Sequence, residues 1–141
     1  MLFFVLLTAG LPACGDGGEP RETAPAPAST PEPDALEARF AEVRDLHDAI
    51  MPDNAKLVRA QRSLEREYAK HPRSAFAKTR LQRAETAMMD WMYADVALAT
   101  LRDSLSDAEL ARYLDERQRD IEAVGDSMRA ALAYYRETIE Q

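Results

Sequence analysis

From residue 34 to residue 141 the sequence is almost without punctuation: Pro52, Pro72 and Gly125 are the only prolines and glycine in that stretch. A run of that length, rich in Ala, Leu, Arg, Glu and Met, reads as helix. Pro72 disfavours the α region at His71 and closes the first helical segment. The stretch "LSDAEL" at 105–110 marks a new start. Ser106 supplies the N-cap, Glu109 its capping-box partner, and Leu105 with Leu110 a hydrophobic staple. The spacing predicts helices over 34–70, 73–104 and 107–139.

Apolar residues recur along each segment in alternating steps of three and four. The third seam runs Leu110, Leu114, Arg117, Ile121, Val124, Met128, Ala131, Tyr135, and the second runs Ala77, Leu81, Ala84, Met88, Trp91, Asp95, Leu98. The first carries Leu36, Phe40, Val43, His47, Ile50, Asn54, Leu57, Gln61, Leu64 and Tyr68. Such seams, like those of a coiled coil, belong to helices packed lengthwise at a shallow angle. Short connections make neighbours antiparallel, so the expected fold is all-α: an antiparallel three-helix bundle, up-down-up. Three apolar seams argue against a two-helix hairpin with a separate third helix.

His47 and Asp95 fall on seam positions, where polar groups need partners. Pairing the first two helices about Pro72 sets His47 and Met51 level with Met92 and Asp95, and pairing the second and third about Leu105 brings Arg117 to the same height. Pro52 lies beside this level. It removes the backbone bond to the carbonyl of Asp48 and either kinks the helix or breaks it into two. The unbroken seam spacing favours the kink.

The N-terminal end differs from the rest. "MLFFVLLTAGLPAC" holds an apolar run of about ten residues, too short to span a bilayer. It ends in small residues before a cysteine, the layout of a cleaved secretory signal over 1–13. "LPAC" resembles a bacterial lipobox, which implies a diacylated Cys14 and a lipid-anchored protein. Pro12 and the lack of a Lys or Arg ahead of the apolar run depart from that pattern. Cys14 is the only cysteine and can form no internal disulfide. An ordinary signal with a stray thiol is the other reading. The following "GDGGEPRETAPAPASTPEP" has three of the five glycines and five of the eight prolines. It cannot bury enough apolar surface to offset its ordering entropy, so 14–33 reads as a disordered tether. Residues 34–141 are then one bundle domain in the cell envelope, partnered with a membrane through the lipid. A net charge of −7 disfavours nucleic acid.

Two short patches, "HDAIMP" at 47–52 and "MMDWM" at 88–92, hold four of the six methionines and the one tryptophan. Together with the lipobox and the Pro-rich tether they resemble a family of small bacterial lipoproteins of unknown function, sometimes labelled viral A-type inclusion proteins. The resemblance covers roughly residues 40–110. It implies a helical envelope lipoprotein and supplies no activity, catalytic residue or ligand.

Residues four apart on a helix have Cβ atoms about 5–6 Å apart. His47 with Met51, and Met88 with Met92, make two such pairs on facing helices. Thioether and imidazole donors suit Cu(I), and methionine survives an oxidising compartment in which thiols are lost to disulfides. Trp91 would cap the cation through its π face, with Asp95 as the outer partner of His47. The same residues also read as core: Met and aromatic stripes fill gaps, and His47 would then be a core histidine bonded to a carboxylate. A further reading is a tethered module whose outer face docks an envelope partner, with a binding or structural role. Catalysis is the least supported. There is no glycine-rich phosphate loop, and "HD" at 47–48 lacks the further ligands that a phosphohydrolase needs.

Overall fold

The computed structural model describes residues 32–140; the signal expected at 1–13, Cys14 and nearly all of the tether expected at 14–33 lie outside the described residues. The chain is all-helical, with four helices and no strand among the described residues: α1 Pro33–Arg66, α2 Ser74–Tyr93, α3 Leu98–Ser104 and α4 Asp107–Ile139. Pro33 stands in the first turn of α1, where its fixed φ suits the helix and its missing N–H costs no bond. Pro52 lies inside α1 without ending it. Both Pro52 and Asp48 are exposed. The carbonyl that Pro52 deprives of a partner therefore lies on a face that water can reach, which makes a mid-helix proline tolerable.

The start of α4 is built as its sequence suggests. Ser106 Oγ accepts from the Glu109 N–H at 3.4 Å, and the Ser106 N–H donates to Glu109 Oε2 at 2.9 Å. The Ser106 hydroxyl also donates to Glu109 Oε2 at 2.6 Å, and the two bonds to this carboxylate, the hydroxyl's first and the backbone N–H's second, hold it below the usual carboxylate range. Leu105 and Leu110 pack into one apolar cluster, as a staple requires.

The single helix expected over 73–104 is instead two, α2 and α3, separated by the non-helical residues 94–97. Tyr93, Asp95 and Val96 are weaker helix formers than their neighbours, and Ala97 is extended, with φ −58° and ψ 136°. The break frees α3 to cover one end of the molecule, where Leu101 packs with Leu36, Leu110 and Leu114. The first segment also ends sooner than 70. At the opposite end, residues 67–73 turn through the bonds His71 N–H to Tyr68 carbonyl (2.9 Å) and Ser74 N–H to His71 carbonyl (3.0 Å).

The three long helices each pack on the other two. Along α1, His47 meets Trp91, Gln61 meets Glu85 and Glu65 meets Lys78, so the order on α2 is reversed. Between α2 and α4, Trp91 meets Arg117 and Phe76 meets Tyr134, again in reverse. Between α1 and α4, Arg39 pairs with Asp115 and Ile50 touches Gly125, in the same order. The main core holds Leu57, Leu64, Leu81, Ala84, Met88, Ile121 and Met128.

Gly125 is buried in the middle of α4, and a Cβ there would come within 3.2 Å of Ile50 Cγ2. The glycine lets α1 and α4 approach closely, a role its place inside a helical pattern only hints at. Gly125→Leu should destabilise the protein by about 1–3 kcal/mol through overpacking. Ile121→Ala, which removes a side chain only 1% exposed, should cost about 2–4 kcal/mol. Urea unfolding followed by circular dichroism measures both.

Candidate functional site

Several of the residues singled out in the sequence, His47, Trp91, Met92 and Asp95, gather where α1 passes the end of α2. Both elements carry an apolar seam there, which turns His47 of α1 and Trp91 of α2 inward. Their rings stack at 5.3 Å between centroids with 13° between planes. Arg44, His47, Asp48, Trp91, Met92 and Asp95 line a cleft of about 230 Å³ beside this stack.

His47 Nδ1 lies 2.9 Å from Asp48 Oδ1. Its Nε2 is buried and has no hydrogen-bond partner among the described residues. A buried imidazole nitrogen without a partner carries a desolvation cost of about 1–3 kcal/mol. That cost singles the atom out. Asn54 Oδ1, two turns further along the same seam, is the other such atom.

Trp91 is 7% exposed and is held from α4. Its indole N–H donates to the Arg117 carbonyl at 3.3 Å, and Arg117 Nη2 donates to the Trp91 carbonyl at 2.8 Å. The guanidinium carbon stands 3.9 Å from the ring centroid. Trp91 therefore already has a cation over its π system, and that cation belongs to the protein. The Trp91 carbonyl is also among the last four of α2, which have no intrahelical partner. Arg117 supplies one, with a charge that complements the C-terminal end of the helix dipole.

The other expected residues divide. Met92 is half-buried and lines the cleft with His47. Met88 is fully buried in the main core and Met51, like Met92, is half-buried against it, but neither Met51 nor Met88 lines the cleft. Asp95 lines the cleft but is exposed, because it falls in the break after α2 rather than on a buried helical face. The carboxylate on His47 is that of its neighbour Asp48. Among the described residues no group of three or more His, Cys, Asp or Glu is placed to hold a metal. His71 sits in the turn at the other end, where its Nδ1 accepts from the Arg73 N–H at 3.3 Å. Among the described residues no helix is long and apolar enough to cross a membrane.

Arg117 was legible as a seam position at the height of the cleft, but not as the partner of Trp91. An arginine on an apolar stripe is the signal that marks it.

Replacing Arg117 with Met should cost about 2–4 kcal/mol, since it strips the Trp91 carbonyl of its partner and the ring of its cation. Arg117→Lys should not restore the loss, because an ammonium cannot both stack flat and donate sideways. The exposed Arg119→Met should change stability by less than about 0.5 kcal/mol. Thermal unfolding with Trp91 emission as the probe separates these outcomes.

Compared with protein-family models, with curated proteins and with solved structures, the chain matches none of them.

Proposed function

We propose that the chain is a lipid-anchored cell-envelope protein with a non-enzymatic binding or structural role. The observation that carries this reading is "LPAC" at 11–14, followed at once by a Pro-rich segment that runs into the first turn of α1. In this reading 1–13 is a cleaved signal, Cys14 bears lipid, 14–33 is a disordered tether, and the domain beyond is an up-down-up three-helix bundle with α3 as an end cover. The order of the helix contacts described above supports that topology. Cys14→Ser should move the protein from the membrane fraction to the soluble one. A variant that stays membrane-bound with unaltered mobility would overturn the anchor.

A second reading is favoured by one specific observation, the unpartnered Nε2 of His47 beside Met92. Imidazole nitrogen and thioether sulfur are soft donors that suit Cu(I). Here His47 and Met92 are the entry pair at the cleft, Met51 and Met88 would join from the core behind it, and Trp91 reports on the site through its stack with His47. The competing account of these methionines is core packing, for which Met is well suited. Cu(I) titration under reducing conditions should quench Trp91 fluorescence and raise the unfolding temperature, because a ligand that binds only the folded state stabilises it. His47→Ala and Met92→Leu should abolish both responses, and Met128→Leu, a core change on α4, should leave them. With core packing alone there is no metal response, and Met92→Leu is nearly silent because the volumes match.

A further inference from the structure

The net charge of −7 conceals a division along the long axis. Residues 32–52 and 84–124, which share the end capped by α3, carry six Lys or Arg against sixteen Asp or Glu, a net of −10. Residues 53–83 and 125–140, which share the other end, carry eleven Lys or Arg against six Asp or Glu, a net of +5. Solubility does not require such an arrangement, and like charges crowded on one end repel one another.

The basic half contains a groove of about 660 Å³ between α1 and α4. Its charged walls are Lys56 and Arg59 from α1 and Arg129 and Arg136 from α4, with Asp53 the only acid. Ala60, Leu132 and Tyr135 supply an apolar side. Lys56 pairs with Asp53 at 2.6 Å and Arg129 with Asp126 at 2.6 Å, and both cations remain 55% exposed. Exposed pairs of this kind contribute little and open readily. Arg59 and Arg136 have no partner among the described residues. Arg136 also complements the end of the α4 dipole, but Lys56 and Arg59 lie in mid-helix, where no dipole calls for a cation.

We propose that this groove is a binding site for an organic anion, a phosphate or carboxylate group carried on an apolar body. Planar guanidinium groups donate in pairs to such oxyanions. Arg59 and Arg136 would take the anionic head, while Leu132 and Tyr135 cover the apolar part. The groove has the size of a small-molecule site. It is separate from the His47 cleft and does not depend on how that cleft is used. The same chemistry occurs in an anionic lipid headgroup and in a free phosphate ester.

The test uses the full chain carrying Cys14→Ser, so that no lipid is attached, with 1-naphthyl phosphate as the probe. Saturable binding of one probe per chain is expected, weakening as salt is raised. The double variant Arg59→Gln/Arg136→Gln should bind about tenfold more weakly or worse, a loss of about 1.4 kcal/mol. The double variant Arg112→Gln/Arg119→Gln, in the acidic half, should bind as the parent does, and both variants should keep the parent's unfolding temperature. Neutral 1-naphthol should not bind. Cosedimentation with phosphatidylglycerol vesicles but not phosphatidylcholine vesicles, lost in the Arg59/Arg136 variant, identifies a lipid headgroup as the source. Naphthyl phosphate binding without vesicle binding identifies a free anion. Equal binding of naphthol, unchanged binding in the Arg59/Arg136 variant, or no binding of either anionic probe overturns the proposal.

Discussion

The contact between Arg117 and Trp91 organises the end of the bundle that holds the candidate site. An arginine that is only 7% exposed must recover what its guanidinium loses in leaving water. It does so through a carbonyl at 2.8 Å and an indole face at 3.9 Å. Arginine is the cation suited to such a position, because its delocalised charge is weakly hydrated and its flat face can stack while its edge donates. The carbonyl it takes is one that α2 leaves over as it ends, so the same bond that satisfies the arginine fastens the end of the helix. The indole fixed in this way becomes the surface on which His47 lies.

The break after Tyr93 follows naturally from that arrangement. Helix α2 stops where Trp91 is anchored, and the chain crosses 94–97 before α3 lays Leu101 against Leu36, Leu110 and Leu114. A continuous helix through this region would carry Asp95 onto the buried seam and leave the ends of α1 and α4 uncovered. The break exposes the carboxylate and closes the apolar end together. Both changes lower the free energy, since an unpaired buried carboxylate is expensive and uncovered leucines forgo transfer energy.

The division of charge gives the molecule a direction. The start of α1, where the tether would join, lies in the acidic half, and the basic groove lies toward the other end. The His47 cleft lies in the acidic half and the Arg59–Arg136 groove in the basic half, so the two sites sit in opposite fields.

Most helix positions were legible in the sequence because the driving term is local and periodic. The seam of α4, from Leu110 to Ala131, is buried nearly as spaced, and Ser106 with Glu109 forms the expected capping box. The register that set His47 near Met92 and Arg117 was legible too, since helix rise and a short turn determine heights to within about one turn. What the sequence by itself could not decide was where periodicity stops mattering. Asp95 fits the repeat as well as Trp91 does, and only the competition between a helix end, an arginine from α4 and an apolar end to be covered moved it to solvent. Tertiary structure also decided that Trp91 faces Arg117, that Met92 lines the cleft while Met51 and Met88 do not, and that Gly125 meets Ile50 of α1. Each depends on which atoms meet across helices far apart in sequence. A one-dimensional pattern specifies a face, and only packing specifies the neighbour.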